Sequence, residues 1–199
     1  MFQPAGIYAA MLTPFESHKR IHQATIQHMV EFFIDKGIDG IFPVSNVGQF
    51  IHIPEEDKRD FVDTVIATAR GRVKVTPGIS SPNARQSIEF GKYCFRAGAD
   101  AVVLSAPYYF KYPPEVVEEF LASVAKGLDM PVILYNVPFY ANEISTESLR
   151  RLLEIDTIVA IKESSGSLAN VQNILNLAED IRPDFHVMVG WEEMLLAAL

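Results

Sequence analysis

Cysteine is almost absent from this 199-residue sequence: Cys94 stands alone, so no internal disulfide can form, and a reducing, cytoplasmic location is expected. A basic face is missing too. Seventeen Lys and Arg against 25 Asp and Glu leave a net charge of -8, with no Lys/Arg cluster anywhere. That balance excludes the electrostatic footprint of a nucleic-acid or anionic-membrane partner. No apolar stretch approaches the roughly 18 to 20 residues that span a bilayer, and the start Met-Phe-Gln-Pro lacks a charged, then apolar, leader. The five histidines, His18, His22, His28, His52 and His186, show no metal-ligand spacing and read as solvated or capping residues. No metal and no cofactor is expected. Low-complexity linkers and charge runs are also lacking, so residues 1–199 read as one domain.

What is present is alternation. Short apolar runs at Gly6–Met11, Ile38–Val44, Val73–Pro77, Ala101–Ser105, Pro131–Tyr135, Thr157–Ile161 and Phe185–Val189 recur about every 30 residues, the size of a βαβ unit. Between them, Ile26, Met29, Val30 and Phe33 hold the i, i+3, i+4, i+7 stripe of a helix facing a sheet. Val62, Val65, Ile66 and Ala69 repeat it, as do Val117, Phe120, Leu121 and Val124. Pro54 with Glu55, Glu56 and Asp57 marks a helix start, Ser145 and Ser167 read as caps, and Gly37 and Gly98 as stops. Strict strand–helix alternation predicts a parallel sheet, either a (β/α) barrel or a doubly wound sheet. Cys94, inside a helical stretch, is expected in the core.

In either fold the chemistry lies at the carboxyl ends of the strands. Lys162 ends the run Ile158-Val159-Ala160-Ile161 just before the polar turn Glu163-Ser164-Ser165-Gly166, where its amine can act as a Schiff-base nucleophile. The bland reading is a lysine leaving a strand into solvent. Against it stand the tyrosines of two other strand ends, Pro107-Tyr108-Tyr109 and Tyr135-Asn136-Val137-Pro138, expected to converge with Lys162 on one pocket. Aromatic surroundings favour the neutral amine, and phenols can pass protons to a developing alkoxide. The letters Val159-Ala160-Ile161-Lys162 also match a kinase lysine motif, but no Gly-rich loop precedes them. Ser164-Ser165-Gly166-Ser167 reads as a plain turn with a capping serine rather than a phosphate cradle.

Taken in order, Thr13-Pro14-Phe15, the turn 45–49, Pro107-Tyr108-Tyr109, Tyr135-Asn136-Val137-Pro138, Ile161-Lys162-Glu163-Ser164-Ser165-Gly166 and Val189-Gly190 resemble the dihydrodipicolinate synthase / N-acetylneuraminate lyase family. The resemblance runs over essentially the whole chain. It implies a TIM (β/α)8-type barrel and a pyruvate-dependent class I aldolase. Lys162 would condense with the ketone of pyruvate, Tyr135 would shuttle the proton, and Tyr109 would serve as a relay tyrosine supplied to a neighbouring subunit, which implies a homo-oligomer, dimer or tetramer. Asn46, Val47, Tyr140 and Gly190 fall at substrate-binding positions.

Three of those positions depart from the family pattern. Its Gly-Thr-Thr-Gly-Glu turn reads Ser45-Asn46-Val47-Gly48-Gln49, so Asn46 cannot relay a proton as a hydroxyl does and Val47 offers only its backbone N–H. Tyr140 stands where the synthases carry a carboxylate-binding arginine, which favours a sugar acid or other 2-oxo acid over aspartate semialdehyde. Two alternatives follow: a noncatalytic or defective member that binds a small molecule or serves structure, and a doubly wound binding domain whose tyrosines do not converge. A TIM barrel needs about 250 residues. The pattern here stops in the helix after the seventh strand, so the chain is expected to be a fragment lacking the eighth βα unit, poorly soluble or inactive alone.

Overall fold

A computed structural model describes residues 2–16 and 20–198. His18 and Leu199 lie outside the described residues. Among the described residues, seven strands alternate with helices in the expected order. β1 (Tyr8–Ala10), β2 (Gly40–Phe42) and β3 (Lys74–Val75) form one parallel sheet; β4 (Val102–Ser105), β5 (Val132–Asn136), β6 (Ile158–Glu163) and β7 (His186–Val189) form a second, in sequence order. The main helices are α1 (Gln23–Asp35), α2 (Glu55–Ala69), α3 (Ala84–Ala97), α4 (Pro114–Lys126), α5 (Thr146–Leu152) and α6 (Leu168–Ile181), and a 3-10 turn (Glu192–Met194) leads into the short α7 (Leu195–Ala198).

The chain divides into two compact units, one made of Ala5–Ile79 and Phe90–Val102, the other of Met1–Pro4, Ser80–Glu89 and Val103–Leu199. In the first, α1 packs on α2, which in turn covers β3. The stripes do this work: Ile26 and Val30 of α1, and Val62, Val65 and Ala69 of α2, are buried. α1 is capped by the imidazole of His22, whose Nδ1 accepts from Thr25 N at 3.2 Å, so one histidine is a cap as its sequence setting suggests. Gly37 and Gly98 both adopt left-handed φ, 74° and 100°, as helix-ending glycines do. The register Tyr8↔Gly40 places the Tyr8 ring where any side chain at position 40 would sit, so only glycine fits there.

The second unit carries the longer strands, buried on both faces: every residue of β5 is buried, as are Ile158–Ile161 of β6. This is the pattern of parallel strands covered by helices on one side and packed side chains on the other. Ser145 and Ser167 cap α5 and α6, accepting from Ser148 N at 3.0 Å and Asn170 N at 3.1 Å. One strand end departs from expectation. β6 does not stop at Ile161 but continues through Lys162 and Glu163, because Ser164 N donates to Asn136 O at 2.8 Å and Gly190 N to Glu163 O at 2.9 Å, carrying the pairing past the apolar run. Glu163, which the sequence places in the polar turn, is the last residue of β6 and 2% exposed.

Candidate active site

Pairing register assembles the site. β5 and β6 begin in register at Val132↔Ile158, then shift so that Ile133 faces Ala160, leaving Val159 as the extra residue of a bulge. The shift places Tyr135 directly across from Lys162 and Asn136 across from Glu163. Side chains in register on neighbouring parallel strands stand on the same face about 4.8 Å apart, and the face alternates with each residue. Without the bulge Tyr135 would have met Ile161, and the amine and the phenol would lie on opposite faces. As built, Lys162 Nζ sits 4.5 Å from the centroid of the Tyr135 ring.

Burial removes water from the Lys162 ammonium and lowers its pKa from 10.5 to about 8, with the Glu192 carboxylate pulling weakly the other way. Such an amine presents on the order of a few hundred times more free base at neutral pH than an exposed lysine. Tyr135 moves in the opposite sense. Burial raises its pKa, the Ser164 hydroxyl opposes that rise, and Tyr140 adds a little to it. The pair therefore sets an amine that loses its proton near pH 8 beside a phenol that keeps its own, the protonation states that carbonyl addition and proton donation require.

Gly190, at the end of β7, gives the lysine its space. A Cβ there would overlap Ser164 Oγ and come within 3.0 Å of Lys162 Cε. The next residue, Trp191, closes the corner: its indole N–H donates to Ser164 O at 3.1 Å and its ring leans on Phe139 at 5.8 Å between centroids. On the opposite face, Asn136 Nδ2 donates to Glu163 Oε2 at 2.7 Å, Asn170 Nδ2 to the same oxygen at 3.0 Å, and Ser165 N to Glu163 Oε1 at 2.6 Å. Asn136 Oδ1 also accepts from Ile144 N at 3.0 Å. This cluster locks the tips of β5 and β6 and the start of α6 together, so the side chains on the face of Lys162 and Tyr135 have a fixed base.

The remaining expected residues are placed differently. Tyr140 is 69% exposed after the β5 turn. Tyr109 is 89% exposed, with a left-handed φ of 81° and its ring edge-on to Phe110 at 4.8 Å. Its neighbour Tyr108 is half-buried, which raises its pKa. The Tyr109 loop is anchored by Asn142, whose Nδ2 donates to Pro107 O at 2.6 Å and to Phe110 O at 2.8 Å. Asn46 and Val47 belong to the first unit, half-buried and exposed respectively. Their turn is tied to the end of β1 by Ser45 Oγ donating to Met11 O at 2.9 Å and by Thr13 Oγ1 donating to Gly48 O at 2.6 Å. Just before it, Val44 is buried with φ 55°, a left-handed conformation that a β-branched residue holds only under constraint.

Sequence reasoning passed over Ser164, Asn170 and Trp191. Ser164 in a polar turn resembles a solvated residue, and only the strand extension beyond Lys162 buries it; Asn170, half-buried in the first turn of α6, shows its role only when its amide reaches Glu163. Among the described residues, no group of three or more His, Cys, Asp or Glu is arranged to hold a metal, and no helix is long and apolar enough to cross a membrane.

Known proteins share this arrangement of strands. A 4-hydroxy-tetrahydrodipicolinate synthase of Oceanobacillus iheyensis is 32% identical over 194 residues, 97% of this chain and 65% of its own length. A probable 2-dehydro-3-deoxy-D-pentonate aldolase of Escherichia coli K12 is 27% identical over 96% of this chain and 64% of that protein. A solved prophage protein from E. coli K12, of the dihydrodipicolinic acid synthase family and in complex with pyruvate, superposes with a TM-score of 0.93 at 26% identity, covering 97% of this chain and 65% of that one. The chain thus spans about two thirds of the length of these relatives, and its fold is the α/β, TIM-barrel type that the sequence alternation predicts. The dihydrodipicolinate synthetase family model matches residues 3–199, which takes in each strand end described above: this chain belongs to that family.

Proposed function

We propose that the chain acts as a class I aldolase, a carbon–carbon lyase that forms a Schiff base between Lys162 and pyruvate or a related 2-oxo acid. The carrying observation is the register pair: a half-buried lysine with its pKa near 8, its amine 4.5 Å from the ring of a phenol that keeps its proton. The names of the relatives, two of them lyase-type enzymes and one a pyruvate complex, support the same chemistry. In this reading the Lys162 nitrogen adds to the ketone carbon, and Tyr135 gives its proton to the oxygen that leaves as water. The resulting iminium draws electrons from the bond broken in retro-aldol cleavage as the alcohol proton leaves to a base and the aldehyde departs; the enamine left behind is protonated back to an iminium that water hydrolyses to pyruvate and free Lys162, or it attacks an aldehyde.

The substrate beyond pyruvate is a sugar acid or another 2-oxo acid. Tyr140, exposed beside the site, offers one hydroxyl where aspartate semialdehyde would need a bidentate cation for its carboxylate. Tyr109, exposed on an anchored loop, suits a residue lent to a second copy of the chain, so the working form is a homo-oligomer. A noncatalytic reading is favoured only by Asn46 and Val47, which supply no hydroxyl at the β2 turn.

Reductive trapping tests the proposal. Incubation with pyruvate and sodium borohydride is expected to add one reduced pyruvate, mapped by peptide mass to Lys162, and Lys162→Ala is expected to abolish it. An adduct on another lysine, or none on folded protein, overturns the assignment. Turnover with pyruvate and each aldehyde, borohydride omitted, ranks the acceptor: aspartate semialdehyde is expected to turn over about ten- to a hundredfold less efficiently than a polyhydroxy aldehyde.

A further inference from the structure

Among the described residues, the buried side-chain polar atoms left without a hydrogen-bond partner are Ser164 Oγ and His186 Nε2. Ser164 is 5% exposed. Its backbone is held on both sides, the N–H by Asn136 O at 2.8 Å and the carbonyl by the Trp191 indole at 3.1 Å, which leaves the hydroxyl little freedom to seek a partner elsewhere. Alternation returns its side chain to the face of Lys162, and both Ser164 Oγ and Lys162 Cε border the space that a Cβ on residue 190 would fill. An orphan hydroxyl in such a place is destabilising, and a native fold that keeps one has a use for it. The group beside it is the Tyr135 phenol, whose ionised form it favours without an aligned hydrogen bond in this resting geometry. Hydrogen bonds of a site at rest are commonly long and tighten only as charge develops.

We propose that Ser164 is a positioning residue for proton transfer: its hydroxyl donates a hydrogen bond to the Tyr135 oxygen when that oxygen becomes a phenolate. The inference rests on the Schiff-base reading of Lys162. In the step concerned, the C–O bond of the carbinolamine breaks, the Tyr135 proton leaves with the oxygen as water, and the Lys162 nitrogen lone pair forms the C=N bond. Ser164 holds the phenolate until it takes a proton from the methyl carbon of the iminium, whose C–H pair becomes the enamine double bond. Ser164 itself neither gains nor loses a proton.

The experiment follows deuterium entry into the methyl group of pyruvate in heavy water, with borohydride trapping in parallel, for the full chain and its Ser164→Ala, Ser164→Cys and Ser164→Thr variants across pH. All are expected to trap pyruvate on Lys162. Exchange is expected to slow about tenfold in Ser164→Ala and by a smaller factor in Ser164→Cys, which keeps the volume but weakens the donor. The limb of the pH profile that reports the phenol should move to higher pH, and Ser164→Thr should restore both rate and profile. Ser164→Ala exchanging at the parent rate with an unmoved profile overturns the proposal; if that variant does not fold, the same result from Ser164→Cys does so. Absence of trapping in the parent chain overturns the Lys162 reading, and this inference with it. Normal trapping with normal exchange in the serine variants sinks the Ser164 role alone.

Discussion

A lysine becomes a nucleophile when losing its charge costs less than keeping it, and at Lys162 burial sets that balance. The folded pKa near 8 lies below the 10.5 of the unfolded chain, so between those values the unfolded state binds more protons than the folded one. Stability therefore rises with pH across that window, the reverse of a lysine that gains a carboxylate partner, and the ammonium form below pH 8 is the strained one. The same shift sets reactivity. The rate of pyruvate trapping should climb through a midpoint near 8 and level off above it, with about a tenth of the plateau at pH 7. A stopped-time borohydride series from pH 6 to 11 measures this, and a midpoint near the ordinary lysine value would show that the amine is solvated. Glu192, the carboxylate that pulls against burial, supplies a second handle: Glu192→Gln should move the midpoint slightly downward.

Among elements, the apolar runs made β2, β4, β5 and β7 legible, and the stripes made α1, α2 and α4 legible, because burial on a sheet imposes periodicity that one sequence displays. Pairing register is not displayed. The bulge at Val159, which brings Tyr135 opposite Lys162, arises from the relation between β5 and β6 and leaves no mark in either strand alone. Glu163 falls in the turn by its sequence for the same reason: beside two serines and a glycine nothing marks it as a strand residue until Asn136 arrives from the neighbouring strand. Lys162 and Tyr135 could thus each be placed at a strand end from the sequence, while the register that sets them face to face and the cluster beneath them could not. Glu163→Ala should leave the amides of Asn136 and Asn170 and the Ser165 N–H without an acceptor, at a cost of about 2 to 3 kcal/mol. In a chain of this length that lowers the melting temperature by about 5 to 10 °C. Glu163→Gln, which keeps one acceptor oxygen, should lose less. Calorimetry giving Glu163→Ala the parent melting point would mean that the cluster does not hold the strand tips.

For the molecule as a whole, the informative surface is the aromatic one. Tyr109 and Phe110, 89% and 63% exposed, pack edge to face at the tip of the β4 loop, in the same unit as the exposed Phe139 and Tyr140. Rings left this open in a chain with a net charge of -8 are costly to hydrate and are usually covered in a working assembly. The loop is not loose: Asn142 fixes two of its carbonyls, and Tyr109 is held at φ 81°, a conformation that costs a non-glycine residue on the order of 1 to 2 kcal/mol. Strain retained at an exposed ring preorganises it, so that association does not have to order the loop first. Sedimentation at micromolar concentration should accordingly find a species larger than the 22.2 kDa protomer. Tyr109→Ala combined with Phe110→Ser should weaken association by at least about a hundredfold, since paired aromatic anchors carry a disproportionate share of interface energy. Asn142→Ala, which touches no exposed ring but frees the loop, should weaken it by a smaller factor. A parent chain that sediments as a monodisperse protomer, with the double variant indistinguishable from it, would remove Tyr109 from any role in a second copy's site and leave Tyr135, with Ser164 beside it, to carry proton transfer within one chain.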